Sequence, residues 1–353
     1  MPKNYNQLTE SVRNRINPEH KALTKTFSDE LSTISYSDVL VFIRTAMKGV
    51  EPEYTQKSKD AGERVKDHLL KGLSQVSFRY QGSVMTNTHI KAYSDIDLLT
   101  ISEKFYQVDN YTVRQILENT EKRIKYFSSS IDKMEKEINV SSYQGNALED
   151  LRSNRLKSEE ILSDVYSICD IVKPKSIKIK NLSLNREVDI VIANWYDDVT
   201  SIINDKGEYR GIQIYNKEKH QRENTDYPFL SIKRINDRGT ETNGRLKKMI
   251  RFIKNIKALS YNEIKLSSFD INAICYDIEV LKYQNLSFYE LVPILYLQIK
   301  SICENKSHSD NIISVDGREY IFRYNSDKLE NLKLILNEIQ SIFVDLHINV
   351  LSK

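Results

Sequence analysis

Two short motifs in the first third of the chain bring phosphate-binding and metal-binding residue types close together. Gly82-Ser83 precedes Asp95-Ile96-Asp97, with Asp95 twelve residues after Ser83. A glycine lets the backbone approach a phosphate closely, and a serine adds a hydroxyl and an N–H donor. Because side chains alternate along a strand, Asp95 and Asp97 are predicted to share one face, while Ile96 points into a core.

A third acid lies on a second alternating segment. Asp189 alternates with Val188 and Ile190 within residues 186–192. Two adjacent carboxylates raise each other's pKa unless a cation lies between them. Mg²⁺ or Mn²⁺ removes that conflict, and Mg²⁺ sites combine one or two carboxylates with substrate phosphates. If the two segments are neighbouring strands, three carboxylates converge on two metal ions, an arrangement suited to in-line displacement at phosphorus.

The order Gly82-Ser83, Asp95-x-Asp97 and a later Asp189 resembles the signature of the DNA polymerase β-like nucleotidyltransferase superfamily. Each short motif alone is typical of an ordinary turn or an edge strand, but the three in this order are specific. The resemblance implies an α+β fold: a mixed sheet flanked by helices with a long N-terminal spine helix, and a C-terminal helical lobe. It places the active site in the cleft between the two lobes.

The flanking residues are similar to the CD-NTases, the bacterial relatives of cyclic GMP–AMP synthase and oligoadenylate synthase. Thr88-x-Ile90 precedes the acid pair, a basic helical segment covers 244–254, and Leu-Ser-Ser-Phe follows at 266–269. The resemblance covers roughly residues 35–300. The patterns that indicate this narrower family are less specific than the five-residue signature of the superfamily.

This resemblance implies further nucleotide-binding residues. Lys247, Arg251 and Lys254 recur at spacings of four and three, so one helix face presents three positive charges. Lys254 matches the family lysine that contacts the triphosphate, and Ser268 matches a serine that binds the same phosphates. Phe269 follows where relatives stack an aromatic ring on a base. A solvated helix face, a helix cap at Ser268 and core packing of Phe269 remain as alternatives.

The implied function is a metal-dependent nucleotidyltransferase that condenses NTPs into a cyclic di- or trinucleotide second messenger and releases pyrophosphate. Two Mg²⁺ ions are implied, with Mn²⁺ as a substitute, together with an effector or regulatory protein and a role in bacterial antiphage defence. The same catalytic set also serves enzymes that make linear oligonucleotides or that modify an RNA 3′ end, a small molecule or a protein. A nucleotide sensor with suppressed catalysis is disfavoured because all three acids are present.

Bulk composition limits the partners and the setting. Charged residues make up 29% of the 353 residues and leave a net charge of +3, so we expect no nucleic-acid activator. The three cysteines indicate a reduced intracellular protein, and no Cys/His spacing predicts zinc. The first residues are polar without an apolar core, so we expect no signal peptide, and no apolar run is long enough for a membrane span. We therefore expect a cytoplasmic protein.

The elements that must position these residues are predicted from periodicity. A chain of this length favours about two domains. We expect a catalytic lobe over 1–225, with a spine helix from about 37 to 73 that breaks near Glu51-Pro52, and a helical C-terminal lobe over 226–353 that begins with a linker. A helical hairpin is predicted as an insertion at about 111–158, with one long helix up to a break at 141–146 and a second helix from Ala147 into Tyr166. Strands are predicted at 76–80, 95–102, 176–181, 187–193 and 209–215, and a small hairpin at 312–324.

Overall fold

The computed structural model describes residues 3–15, 38–91 and 96–347. Its helices are, in chain order, α1 Tyr5–Asn14, α2 Asp38–Met47, α3 Pro52–Leu70, α4 Asn110–Glu118, α5 Thr120–Arg123, α6 Ser128–Ile138, α7 Ala147–Val165, α8 Val199–Ile203, α9 Pro228–Glu241, α10 Arg245–Leu259, α11 Ser268–Tyr276, α12 Leu291–Glu304, α13 Lys306–Asn311 and α14 Ser326–Leu346. Its strands are β1 Val76–Gln81, β2 Ile96–Val108, β3 Cys169–Asp170, β4 Ile177–Asn181, β5 Arg186–Asp197, β6 Gly211–Asn216 and β7 Gln221–Asp226.

Contacts divide the chain into two compact units. The sheet unit contains residues 51–85 and, from the described part, 96–233. The helical unit contains the described residues up to 50, the segment 86–91 and residues 234–347. The predicted division at residue 225 stays a prediction, since the contact-based units change after Lys233 and group the start of the chain with its C-terminal helices.

The sheet unit is built on a mixed sheet with the strand order β1-β2-β5-β4-β3. The long strand β5 holds it together: β2 pairs with it in parallel, β4 pairs antiparallel with its first half, and β6 pairs antiparallel with its second half. Strand β7 extends the sheet beyond β6 and was not predicted. The two-residue strand β3 was not predicted either. Strands β1, β2, β4, β5 and β6 lie where periodicity predicted them, although β2 runs six residues beyond its predicted end at Ser102.

Both faces of this sheet are covered. Helices α3 and α7 pack on one face of the sheet, against alternate residues of β2, β4 and β5. The fully buried residues of this cluster include, from the helices, Ala61, Val65, Leu69 and Leu162 and, from the strands, Ile96, Leu98, Ile177, Ile179, Val188 and Ile190. The opposite face is covered further along the strands by a second cluster that includes Leu99, Ile101, Trp195 and Phe229. Burial on both faces makes the central strands rigid supports for residues at their ends.

The segment predicted as a helical hairpin is helical, but its two arms pack in separate places: α4 and α6 share an apolar cluster with α8, whereas α7 packs against α3 and the sheet. The first arm is also broken. The prediction of one helix through the first arm is wrong, because α4, α5 and α6 are separate. Asn119 causes the first break: its backbone is extended, and its side chain accepts a 3.0 Å hydrogen bond from the Lys122 N–H, which caps α5. The second arm, α7, is confirmed, with Asn146 capping its start.

The helical unit packs α2, α10, α11, α12 and α14 around one apolar cluster. The predicted break of the spine helix is confirmed, because α2 ends at Met47 and α3 begins with Pro52 at its first position. The predicted cap at Ser37 lies outside the described residues. The segment interpreted as a linker is partly helical, since Pro228 begins α9. The small hairpin is confirmed as a bridge between Ile313 and Tyr320.

None of the helices in the described part of the chain is long and apolar enough to cross a lipid bilayer.

Candidate active site

Strand register brings two of the three predicted acids, Asp97 and Asp189, into one row across the sheet. Gln81 at the end of β1 pairs with Asp97 on β2, Asp97 pairs with Asp189 on β5, and Asp189 pairs with Lys178 on β4. Residues in register on paired strands point to the same side of a sheet. The prediction that the two acid-bearing strands are neighbours is therefore confirmed.

The two acids occupy the less buried positions of otherwise buried strands. Ile96 and Leu98 flank Asp97, and Val188 and Ile190 flank Asp189; all four are fully buried in the core under α3 and α7. Asp97 is half-buried, and the side chain of Asp189 is 18% exposed. Because alternation sends the apolar neighbours inwards, it turns both carboxylates to the opposite, accessible face.

The glycine turn follows the first strand of the same row. Gly82 comes directly after Gln81 and has a φ of 91°, a left-handed conformation that favours glycine. The Met85 N–H donates to the Gly82 carbonyl over 3.2 Å, which closes the turn, and Ser83 within it is half-buried. The chain thus leaves β1 beside Asp97 and turns immediately, so Gly82 and Ser83 start at the register of the acid row.

Asp95 lies outside the described residues. Within the described ones, no group of three or more His, Cys, Asp or Glu side chains is placed to hold a metal ion. Asp97 and Asp189 are the two members of the predicted triad that the structure describes. The metal-binding and catalytic roles of all three acids stay predictions.

Two lysines that were not predicted lie beside the acid row. The Lys178 ammonium is 3.8 Å from Oδ2 of Asp189 and 2.7 Å from Oε2 of Glu187. The Lys173 ammonium lies 3.8 Å from Oδ1 of Asp189. The signal for Lys178 was present in the alternation Ile177-Lys178-Ile179, which gives β4 one polar face. These charges offset part of the repulsion between adjacent carboxylates.

The donor set fits a hard divalent cation. Two carboxylates from adjacent strands, on one accessible face and at one register, are the oxygen ligands that Mg²⁺ takes together with phosphate oxygens. A glycine turn at the same register supplies backbone N–H groups for those phosphates. This chemistry is that of phosphoryl or nucleotidyl transfer.

Comparison with known proteins decides the family. Residues 233–343 match the cGAS/DncV-like nucleotidyltransferase C-terminal helical domain. A c-di-GMP synthase from Capnocytophaga granulosa is 55% identical over 351 residues, which cover 98% of each chain. The chain belongs to the CD-NTase family. The predicted family, fold class and nucleotidyltransferase activity are confirmed.

Two further relatives extend the comparison along the whole chain. The solved structure of a STING-associated CdnE c-di-GMP synthase from Flavobacteriaceae sp. has a TM-score of 0.88 and 43% identity, and covers 98% of this chain and 99% of that one. A c-di-GMP synthase from a Lachnospiraceae bacterium is 40% identical over 346 residues, which cover 97% of this chain and 99% of that protein.

The basic helix of this CD-NTase is buried rather than solvated. Lys254 on α10 is 6% exposed, and the structure gives its ammonium no hydrogen bond or ion pair among the described residues. Burial lowers the pKa of Lys254 to about 8. Arg251 is also 6% exposed and donates to two backbone carbonyls. The alternative of a solvated face is wrong for these two residues.

The start of α11 shows which of its two serines caps the helix. Ser267, rather than Ser268, caps the helix: its hydroxyl accepts from the Asp270 N–H at 3.2 Å, while Asp270 accepts from the Ser267 N–H at 2.7 Å. Ser268 is exposed at the first helical position. Phe269 is half-buried and packs against the core of the helical unit. Nucleotide binding by Lys254, Ser268 and Phe269 stays a prediction.

Other polar residues near the motifs have structural partners. Asp198 caps α8 by accepting a hydrogen bond from the Ser201 N–H. Asp197 is fully buried and accepts two hydrogen bonds from Arg210, at 2.9 and 2.8 Å. His89 is fully buried within the segment that follows the glycine turn.

Proposed function

We propose that this CD-NTase converts two molecules of GTP into c-di-GMP with release of two molecules of pyrophosphate. The observation that carries the proposal is the row in which Asp97 and Asp189 are in register beside the Gly82 turn. The choice of guanine is supported by three relatives, 40–55% identical over nearly the whole chain, whose names state this product.

The donor nucleotide is held through its phosphates. Gly82 leaves room for a phosphate oxygen against the backbone, and Ser83 adds a hydroxyl and an N–H donor. Asp97 and Asp189, together with Asp95, would hold two Mg²⁺ ions, and Mn²⁺ is expected to substitute. When bound, these ions supply positive charge to the phosphates and lower the pKa of a bound hydroxyl.

The acceptor is a ribose hydroxyl of the second GTP. Its oxygen attacks the α-phosphorus of the first, the bond to the pyrophosphate group breaks, and the hydroxyl proton is lost. Asp189 lies on the strand away from the glycine turn, so we assign it to the acceptor side and Gly82 with Ser83 to the donor side. A second transfer within the linear intermediate closes the ring and releases the second pyrophosphate.

Three residues of the helical unit are also proposed to contact the nucleotide. A nucleoside triphosphate brings about four negative charges, which two Mg²⁺ ions neutralise in part. Lys254 is a buried cation with no carboxylate partner among the described residues, so an anion is its natural counterpart. We assign Lys254 and Ser268 to the phosphates and Phe269 to a base.

The product is proposed to act as a second messenger in antiphage defence of the CBASS type. One relative is described as STING-associated, so we propose a STING-type receptor of c-di-GMP as the downstream partner. A cytoplasmic location and the lack of a nucleic-acid activator stay predictions.

The test is to incubate the purified protein with GTP alone, ATP alone and all four NTPs, each with Mg²⁺ or Mn²⁺. Products are treated with phosphatase and analysed by mass spectrometry, beside the Asp97→Asn variant. We expect GTP alone to give a phosphatase-resistant species at the mass of c-di-GMP, and the variant to give none. A mixed product that requires ATP would overturn the guanine assignment, and only linear products would overturn the cyclase assignment.

A further inference from the structure

Arg251 on α10 joins two segments of the helical unit that are distant in sequence. Its guanidinium is buried; Nε donates to the Met47 carbonyl at 2.9 Å, and Nη1 donates to the Asn87 carbonyl at 2.6 Å. Both acceptors are backbone oxygens. Arg251 therefore binds backbone groups, and its planar guanidinium fixes the positions of the two carbonyls relative to each other.

The first carbonyl belongs to the end of α2. The last carbonyls of a helix have no partner within the helix, and a cation there also interacts favourably with the helix dipole. Asn255, one turn after Arg251, donates to the neighbouring Ala46 carbonyl at 2.8 Å. Two side chains of α10 thus hold the end of α2, but of these two only Arg251 also donates to Asn87.

The second carbonyl belongs to the connection between the two catalytic motifs. Asn87 comes four residues after Ser83 and ten before Asp97, and it has a φ of 53°. Its neighbours Thr88 and His89 are fully buried. A Cβ atom built on Gly49 would lie 3.6 Å from the Asn87 side chain and 3.9 Å from the Arg251 guanidinium, so the three segments are closely packed.

We propose that Arg251 is a positioning residue for nucleotidyl transfer. By holding the Asn87 carbonyl, it fixes the course of residues 86–91, the stretch of chain that follows the glycine turn and precedes Asp97 in sequence. The inference rests on the proposed function. It differs from the sequence-based expectation, in which Arg251 and Lys254 share a face that meets the triphosphate: Arg251 acts on the backbone, not on the nucleotide.

This role predicts a specific kinetic effect. A group that aligns reacting residues without touching the nucleotide changes kcat more than KM, and misplacement by about 1 Å costs on the order of 100-fold in rate. In Arg251→Ala we therefore expect kcat for pyrophosphate release from GTP to fall on the order of 100-fold, with KM for GTP changed less than about threefold. Millimolar methylguanidinium should restore part of kcat.

The matched control is Asn255→Ala, which removes a hydrogen bond to the same helix end and leaves the Arg251–Asn87 bond in place. We expect its melting temperature to fall as in Arg251→Ala, while kcat stays within about threefold of wild type. If Arg251→Ala does not fold, Arg251→Lys replaces it in the experiment, because lysine keeps the positive charge but cannot donate to both carbonyls as the guanidinium does. Its kcat should fall more than that of Asn255→Ala.

Hydrogen exchange gives a readout that does not depend on activity. Amide exchange of residues 86–91 should accelerate in the Arg251 variants and remain at the wild-type rate in Asn255→Ala. Unchanged exchange, an equal kcat loss in the control, or a loss confined to KM for GTP would each overturn the proposal. Pyrophosphate release reports nucleotidyl transfer whatever the product, so a wild-type product other than c-di-GMP would refute the proposed function and leave this test intact.

Discussion

Each of the two units has neighbouring residues of like charge, but the units differ in how far these residues are exposed to solvent. On the sheet, Asp97 and Asp189 are adjacent through strand register and remain accessible. On α10, Arg251 and Lys254 are almost fully buried, with no carboxylate paired to either among the described residues. The acids are therefore open to cations from solution, whereas the cations are enclosed by protein.

The two arrangements have different energetic consequences. The acid row is only partly exposed: the Asp189 side chain is 18% exposed, and its carboxylate lies 3.8 Å from the ammonium groups of Lys173 and Lys178, which offset part of the repulsion between the acids. A buried ammonium has lost its hydration, and its pKa falls accordingly. Arg251 recovers part of this cost by donating to two carbonyls, and Lys254 does not. The difference predicts that the acids contribute mainly to rate, and Lys254 to substrate affinity at a cost in stability.

The largest effect should follow from Asp97→Asn. The amide keeps the shape of the side chain and removes an anionic ligand from the row. We expect kcat/KM for GTP to fall on the order of 1000-fold or more, because charge stabilisation by bound metal supplies several kcal/mol of the transition-state interaction. Pyrophosphate release measures the rate, and circular dichroism with thermal melting checks that the fold is retained.

Glu187→Gln is the control for this change. Glu187 points to the same side of β5 as Asp189 but forms an ion pair with Lys178 at 2.7 Å. Its loss should reduce activity less than about tenfold, as expected for a partly exposed pair. A fall comparable to that of Asp97→Asn would mean that Glu187 belongs to the metal site.

Gly82→Ala should have the next largest effect. A φ of 91° costs an L-residue about 1–2 kcal/mol, and the strain falls on the turn that carries Ser83. Gly317→Ala imposes similar strain at a φ of 81° on the small hairpin of the helical unit. Both variants should lose similar stability in thermal melting, but only Gly82→Ala should lose activity, on the order of tenfold or more. If Gly82→Ala and Gly317→Ala had the same activity, the glycine turn would not be part of the phosphate site.

Lys254→Met should separate affinity from stability. A folded-state pKa of about 8 lies below the usual value near 10.4, so charged Lys254 destabilises the fold below about pH 8. That penalty disappears as the pH rises from about 8 to about 10.4. Methionine removes it, so we expect the free energy of unfolding at pH 7 to rise by on the order of 2 kcal/mol. Chemical denaturation at pH 7 and pH 9.5 measures the change, which should shrink at the higher pH.

The same variant should bind GTP less well. In wild type, KM for GTP should increase as the pH rises above about 8, because the neutral amine no longer attracts phosphate. In Lys254→Met, KM should be higher at pH 7, by about tenfold, and should lose this pH dependence. An unchanged KM would show that Lys254 does not contact the triphosphate.

Much of the sheet site could be predicted because alternation is a local property. Ile96 and Leu98 determine where Asp97 points, whichever strand lies beside it. The partners of Asp189 could not be predicted in this way. Lys178 lies eleven residues before Asp189, and their contact depends on the antiparallel pairing of β4 with β5, which a single strand pattern does not specify.

The helical residues were harder to predict for a different reason. Spacing placed Lys254 on a charged face, but Leu246, Met249, Ile250, Phe252 and Ile253 bury α10 on nearly all sides. A helix with apolar residues all round is a core helix, and its few charges are enclosed with it. Asp270, three residues after Ser267, was also a signal that Ser267 and not Ser268 is the cap.

The smallest effect should follow from Lys178→Gln. The Lys178 ammonium, 25% exposed, lies 3.8 Å from Asp189 and closer to Glu187, so it competes only weakly with a metal ion for the Asp189 carboxylate. Its removal should lower the Mg²⁺ concentration for half-maximal rate by about two- to fivefold. Lys180→Gln, two residues further along the same face of β4, should leave that concentration unchanged. A higher Mg²⁺ requirement in Lys178→Gln would instead mean that the Lys178 ammonium helps to bind the nucleotide. In that case the lysine would contribute positive charge to the site beside the metal ions.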